Sequence, residues 1–303
     1  MGDLDVHVTV AAAELGACVD VRELADPLAR SHADRLAEQG IDCARVSPLD
    51  TTGLTRAVLP GAPGFPGGVA FDCLVVCTDS FPAEWVADWL IELRGGAGLR
   101  TVRALFVSGE SCGGFAAGLD VARGLIVSGS AGAVLVVTVD RIAEGTRYPP
   151  ISTTVYSDGA VSCLVTAARP RSASFRLLGS ATETWLPGPG RPDGMGAART
   201  LTLAVRAATA RVSGGSVRRF RYLVTPNFGR STRHLLAMAA GMPVDRLHSG
   251  EFGRTGHCFA SDIPLNLAEL EESGALDDGD EILAVTSSRH ALSAMALRYG
   301  AAG

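Results

Sequence analysis

The sequence predicts an α/β fold with at least partly parallel sheets, and three observations carry that prediction. Short apolar runs bounded by turn residues alternate with segments of helical spacing along the whole chain. Hydrophobic residues make up 47% and charged residues 19% of the 303 positions, which supplies a sizeable core and argues against disorder. The stretch 104–139 reads as a short strand, a tight turn holding Cys112, a small-residue helix and a second apolar strand. The length allows one large domain or two ordinary ones.

Taken in order, alternation over 7–13 suggests an opening strand, and 21–39 carries helical spacing closed by Gly40. Residues 47–68 are rich in Gly and Pro and predict a loop. A buried strand follows over 69–78, then a helix over 83–93 whose Trp85 and Trp89 share a face as core packing. After the Cys112 stretch, 142–152 is irregular, and 153–167 suggests a hairpin turning at Ser157-Asp158-Gly159-Ala160. The seam between halves falls at Ala168-Arg169-Pro170-Arg171. Beyond it come a strand from 172, a surface loop over 187–194, a helix over 200–212 and a strand over 221–225. Residues 230–240 predict a helix closed by Gly241, and 261–273 another, with Ser261 as N-cap and Pro264 in the first turn. Asp277-Asp278-Gly279-Asp280 turns into strand 281–286, and 291–298 is the last strand.

Composition excludes several functions. A net charge of -5 gives no case for nucleic-acid binding, and the chain has no lysine, so all its basic charge is arginine. The seven cysteines are an odd set without a C-x-x-C pair, which suits reduced structural thiols better than a disulfide framework or a zinc site. No basic segment followed by an apolar run opens the sequence. The most apolar window, 124–139, is broken by Ser and Gly and too short to span a bilayer. A cytoplasmic protein with no membrane partner and no metal is expected.

Cys112 holds the most chemical promise. A cysteine at the mouth of a helix lies beside unpaired N–H groups and the positive end of the dipole, both of which favour thiolate. The glycines after it let a substrate approach closely. The plain alternative is a cysteine packed as a small hydrophobe. The same residues, Gly109-Glu110-Ser111-Cys112-Gly113, also satisfy G-x-S-x-G, the nucleophile elbow of α/β-hydrolases, with Ser111 attacking.

A wider resemblance covers residues 70–300. Ser111-Cys112-Gly113-Gly114-Phe115 with Gly118-Leu119, then Ser128-Gly129 and Val134-Leu135-Val136-Val137, resembles the nucleophile segment of the β-ketoacyl-acyl-carrier-protein synthase III family of the thiolase superfamily. Tyr156-Ser157-Asp158-Gly159-Ala160 resembles that family's Phe-Gly-Asp-Gly-Ala turn, and Pro226-Asn227, Gly256-His257 and Ala296-Leu297-Arg298-Tyr299 fall where its later signatures fall. The resemblance implies a thiolase-like five-layer α/β/α/β/α sandwich made of two similar halves, 1–168 carrying Cys112 and 169–303 carrying its partners. It also implies a homodimer and an acyl-S-cysteine intermediate. The donor would be an acyl thioester of acyl carrier protein or coenzyme A, with no permanently bound cofactor.

Departures from the family pattern shape the functional expectation. Asn227 stands where the family has histidine and His257 where it has asparagine. Ser287-Ser288-Arg289 replaces a glycine triplet beside the active site, and the N-terminal Gly-Ile-x-x-Arg segment has no counterpart. These changes bear on decarboxylative condensation and coenzyme A binding rather than on acylation of Cys112. The expected catalytic set is Cys112, His257 as base and Asn227 fixing the imidazole through its amide oxygen. The Cys112 N–H is an oxyanion donor, and Ser287, Ser288 and Arg289 form an acceptor region, Arg289 facing an anionic acceptor. The leading expectation is acyl transfer from Cys112 to a small-molecule hydroxyl or amine in secondary metabolism. The alternatives are a carbon–carbon condensing enzyme, a non-catalytic partner subunit and an α/β-hydrolase using Ser111. Asp158 is expected to be structural, and His7, His32, His234, His248 and His290 structural or solvent-exposed.

Overall fold

Eleven strands and nine α-helices account for the fold in a computed structural model that describes residues 5–62, 65, 70–80, 85–148, 153–186 and 194–302. Strand β1 (His7–Leu15) is followed by the short ribbon of β2 (Ala17–Asp20) and β3 (Cys43–Val46). Helices α1 (Pro27–Ser31) and α2 (Ala33–Glu38) lie between those two strands. Then come α3 (Thr51–Ala57), β4 (Cys73–Cys77), α4 (Val86–Gly96), β5 (Arg103–Val107), α5 (Gly114–Val127), β6 (Ala133–Asp140) and β7 (Gly159–Thr166). The rest of the chain gives β8 (Ser174–Thr184), α6 (Gly194–Ser213), β9 (Phe220–Val224), α7 (Arg230–Ala240), α8 (Phe252–Thr255), α9 (Asp262–Glu272), β10 (Glu281–Ser287) and β11 (Ala291–Gly300).

Nine strands run in the order β5-β4-β6-β7-β1-β8-β11-β10-β9. β4 is parallel to β5 and β6, and β10 to β9; the other pairings are antiparallel. One joint is thin. β1 pairs with β7 over most of its length but meets β8 only at His7–Arg176 and Val8–Phe175. The five strands up to β1 and the four from β8 therefore behave as two half-sheets sharing a narrow seam.

Side-chain alternation along the strands builds the layers. Cys73, Val75 and Cys77 of β4 pack on Phe115, Leu119 and Ile126 of α5. The same core takes in Ile263 and Leu267 of α9 and, from the second half-sheet, Ile282 and Ala284. The intervening Leu74 and Val76 face Leu54 of α3 and Trp89 and Leu93 of α4. In the second half-sheet Leu283 and Val285 face Val205 of α6 and Leu236 of α7. Helices, half-sheet, central helices, half-sheet and helices follow one another, the five layers expected from the resemblance. Gly118 sets the spacing of the central layer: a Cβ there would lie 2.6 Å from Cys77 Sγ and 2.9 Å from Val136 Cγ1.

Several local expectations are corrected. The helical spacing over 21–39 is split, because Asp26 caps a new helix through the Leu28 and Ala29 N–H groups and Pro27 occupies its first turn. The breaker-rich run 47–68 contains α3, capped by Asp50 at the Gly53 N–H, 2.6 Å away. Trp85 precedes α4 and is 68% exposed, while Trp89 is buried and donates to Thr52 Oγ1. Ser261 stands at the N-cap of α9, but its hydroxyl pairs with Thr138 Oγ1 instead of the helix N–H groups. Positions 63–64, 66–69, 81–84, 149–152 and 187–193 of the expected loops, strand, helix and irregular segment lie outside the described residues, and Gly194 already begins α6.

The expected hairpin over 153–167 is a single strand, β7, pairing with both β6 and β1. Asp158 is consequently no turn residue. Its fully buried carboxylate takes both edges of Arg147 at 2.9 and 2.8 Å, and the N–H groups of Ser47 and Ile142 at 2.9 Å each. That set ties the segment leading out of β6 to the one leaving β3. Among the described residues no helix is long and apolar enough to cross a membrane, and no group of His, Cys, Asp and Glu is arranged to hold a metal ion.

Candidate active site

Cys112 lies in a single 3-10 turn, Ser111–Gly113, between β5 and α5. The chain enters through Gly109 at φ +91° and Ser111 at φ +47°. A left-handed backbone at a non-glycine residue costs about 1–3 kcal/mol and persists only where neighbours enforce it. Asp79 is that enforcer: its carboxylate accepts from the N–H groups of Gly109 (2.6 Å) and Ser111 (2.8 Å) and from the Ser108 hydroxyl (2.9 Å).

Asp140 in turn fixes Asp79. Its Oδ1 accepts from the Asp79 and Ser80 N–H groups at 3.0 and 3.2 Å and from the hydroxyls of Thr78 and Ser80 at 3.2 Å each. Its Oδ2 is buried without a partner. Burial pushes this carboxyl up to about 7, against the pull of its hydrogen bonds. A neutral acid fits an oxygen that nothing else serves.

His257 arrives from the C-terminal half in the turn after α8. Its N–H donates to the Val155 carbonyl and its own carbonyl accepts from the Ser157 N–H, both at 2.9 Å, so its backbone is pinned beside Tyr156. The ring meets Cys112 Sγ through Nε2 at 2.9 Å. On its other side Nδ1 lies 2.5 Å from Asp262 Oδ2. Asp262 is the first residue of α9 and fully buried, and it also accepts from the N–H groups of Cys258 and Asn227 at 2.7 Å each. Cys112, His257 and Asp262 thus form a continuous chain of polar contacts.

Three aromatic rings enclose the imidazole, with centroids at 4.8 Å (Phe228), 5.2 Å (Phe259) and 5.9 Å (Tyr156). Phe259 reaches its place with φ +52°. Burial opposes a charge on the ring, but the Cys112 sulfur and the Asp262 carboxylate outweigh it and hold the imidazole up to about 10. The arrangement suits an imidazolium whose Nε2 faces the Cys112 sulfur. It can give a proton to a leaving thiolate and later take one from an acceptor.

Other expected residues fall as follows. The amide oxygen of Asn227 does not reach the imidazole: it accepts from Asn266 Nδ2 at 2.9 Å, while the Asn227 backbone N–H serves Asp262. The orienting role expected of Asn227 belongs to Asp262, since a carboxylate outcompetes a neutral amide for the ring N–H. Asn227 Nδ2 is buried with no partner. Ser111 Oγ stands 3.7 Å from Cys112 Sγ, and the imidazole meets the sulfur at 2.9 Å.

Thr286 at the end of β10 donates to the Cys112 carbonyl at 2.5 Å, bringing the Ser287-Ser288-Arg289 turn to the rim. Ser287 is buried, Ser288 Oγ accepts from the Ala291 N–H within the turn, and Arg289 is exposed. Sequence reasoning missed Asp262, Asp79, Asp140 and Tyr156. Tyr156 is held above the ordinary tyrosine range by burial and by Cys112, with Arg289 pulling the other way.

Comparison with known proteins follows the same lines. A sequence model of the 3-oxoacyl-[acyl-carrier-protein] synthase III family matches residues 108–184. The chain is 29% identical over 252 residues to beta-ketoacyl-[acyl-carrier-protein] synthase III 2 of Deinococcus radiodurans, covering 75% of this chain and 73% of that protein. Among solved structures it resembles 3-oxoacyl-(acyl carrier protein) synthase III, FabH, of Pseudomonas aeruginosa PAO1, with a TM-score of 0.80, 21% identity and 99% of each chain covered. It also resembles ChlB3, described as an acyltransferase, with a TM-score of 0.77, 21% identity and 98% of each chain covered.

Proposed function

We propose that this chain, similar in sequence to synthase III proteins and in fold to FabH and ChlB3, is an acyltransferase working through an acyl-S-Cys112 intermediate. One observation carries the reading: Asp262 Oδ2 lies 2.5 Å from His257 Nδ1, which directs Nε2 at the Cys112 sulfur. A decarboxylative condensation asks its two partner side chains to donate hydrogen bonds to an enolate. Transfer to oxygen or nitrogen asks for a base instead. An imidazole oriented by a carboxylate is such a base.

In the first step the Cys112 sulfur attacks the carbonyl of an acyl thioester. The tetrahedral oxyanion is held by the Cys112 N–H at the mouth of α5, and the departing thiolate takes the proton from His257 Nε2. In the second step His257 Nε2 removes the proton of an acceptor hydroxyl or amine as it attacks the thioester, and the Cys112 sulfur leaves as the anion. The donor is an acyl carrier protein or coenzyme A thioester, and the acceptor a small molecule of secondary metabolism. No cofactor is permanently bound. The 1–168 half supplies Cys112 and the 169–303 half supplies His257 and Asp262, so the site is complete only where the halves meet. We assign a homodimer on the same family reading.

A second reading, carbon–carbon condensation, is favoured by the unpartnered Asn227 Nδ2, a spare donor near the Asp262 network. Incubation with a panel of acyl thioesters, read by intact mass, tests both. The wild type and Ser111→Ala should carry the acyl mass and Cys112→Ala should not; added amines or alcohols should then discharge it. Carbon dioxide release and a ketoacyl product from a malonyl thioester would overturn the acyltransferase reading. Absence of any adduct on the wild type, while a partner protein becomes acylated, would make the chain a non-catalytic subunit.

A further inference from the structure

At the end of the sheet remote from Cys112, a cavity of about 310 Å³ opens over the seam between the half-sheets. Its placement follows from the register. Thr286, at the end of β10, touches Cys112, whereas Glu281, at its start, pairs with Arg298 of the antiparallel β11. Five residues of extended chain separate the two by roughly 16 Å. Arg298 lines the cavity together with His7 and Arg176, one of the two residue pairs that join β1 to β8.

The lining carries three guanidinium groups, Arg169, Arg176 and Arg298, against the two carboxylates of Asp5 and Asp278. Each arginine is engaged along only part of its donor set. Arg169 uses Nη2 for Asp278 and the Ala301 carbonyl, Arg176 uses Nε for Asp5, and Arg298 uses Nε and Nη2 for Glu281. A guanidinium has five N–H donors, so donors remain on all three. The pairs to Asp5 and Asp278 are half-exposed and weakly held, which makes them cheap to rearrange.

Ser174 adds an independent mark. It lines the same cavity, is 1% exposed, and its Oγ has no hydrogen-bond partner. A buried hydroxyl left unserved is costly unless something else fills its need. His7, below the ordinary histidine range through burial and the charges of Arg176 and Arg169 despite Asp5, completes the wall nearest β1.

We infer that this cavity is a binding site for a phosphate group, which would bridge the two half-sheets at their narrow joint. Convergent guanidinium forks match the several oxygens of phosphate, and Ser174 supplies a donor to one more. A ligand held by Arg176 and Ser174 on β8, Arg298 on β11 and His7 on β1 contacts both half-sheets at once. The group can belong to the inorganic ion or to a compact phosphate monoester, and the site stands apart from the Cys112 chemistry.

Isothermal titration of the intact protein with inorganic phosphate, at constant ionic strength in chloride, tests the inference. Saturable binding is expected, weakened at least tenfold in Arg176→Gln and several-fold in Ser174→Ala, with acylation of Cys112 unchanged in both. Glycerol phosphate in a parallel arm separates the sources: tighter binding than inorganic phosphate assigns the site to a monoester, weaker binding to the free ion. The inference is overturned if phosphate gives no saturable heat, if neither variant alters the affinity, or if acetate binds as tightly as phosphate.

Discussion

Asp262 holds His257 by the ring nitrogen turned away from Cys112, at 2.5 Å, so a carboxylate on α9 decides which nitrogen faces the sulfur. Asp262→Asn keeps the shape and the acceptor oxygen but offers an amide that can equally stabilise the wrong tautomer. Acylation of Cys112 should slow by about 10³-fold or more. Rapid-quench mass spectrometry of the acyl-enzyme across pH checks this. The same variant should lose the high imidazole pKa, visible as an acid shift of the rate profile. An unchanged rate would remove Asp262 from the relay.

Protonation of His257 also contributes to stability, with a definite sign. Its folded pKa, up to about 10, exceeds the unfolded value, so the contribution is complete below pH 6.5 and is lost as pH rises through about 10. Cys112→Ala removes one of the two groups that raise it and should flatten this decline, by on the order of 1–2 kcal/mol between pH 7 and 10. Urea unfolding at a series of pH values provides the measurement. Parallel curves for the two proteins would contradict the coupling.

Asp140 predicts the opposite kind of variant. All four of its hydrogen bonds go to Oδ1, leaving Oδ2 buried and unserved. Burial raises this acid to about 7, so its folded form resists ionisation, and stability falls as pH climbs from the unfolded carboxylate range through about 7. Asp140→Asn mimics the neutral acid. It should be more stable than the wild type at pH 8.5, by about 2–4 kcal/mol, and nearly equal to it at pH 4. Thermal melts at the two pH values distinguish this from a simple loss of contacts.

Arg147→Met tests the buried pair with Asp158. The carboxylate is fully buried and keeps only the Ser47 and Ile142 N–H groups once the guanidinium is gone. Removing one member of such a pair costs about 3–5 kcal/mol. A drop in the urea midpoint of matching size is expected, and a loss below about 1 kcal/mol would mean that water or a neighbour replaces the arginine.

Much of this site was legible in the sequence, and the parts that were not share a cause. Cys112 could be found because strand, turn and helix leave a local pattern, and His257 because a resemblance aligned it. Asp262 could not, since an acidic residue in the first turn of a helix is the ordinary response to the dipole and carries no mark of a distant partner. Asp79 and Asp140 act on backbone N–H groups contributed by other segments, which no periodicity records. Thr153 to Tyr156 looked like half of a hairpin because β-branched and aromatic residues are frequent there, yet Tyr156 bridges to His257 across the molecule. Conversely, Asp26-Pro27 and Asp50 were visible helix starts that a composition-level reading of their surroundings concealed.

The position of β1 has a consequence for synthesis. Its neighbours are β7 and β8, so on leaving the ribosome it must wait for residues beyond 159 before it has an edge to join, and beyond 174 before the two half-sheets can be sewn together. Pairing across so much sequence is slow, and an unclaimed edge is exposed meanwhile. A ribosome stalled short of residue 159 should therefore display β1 as a protease-sensitive, chaperone-bound ribbon, and the chain should gain its resistance in one late step.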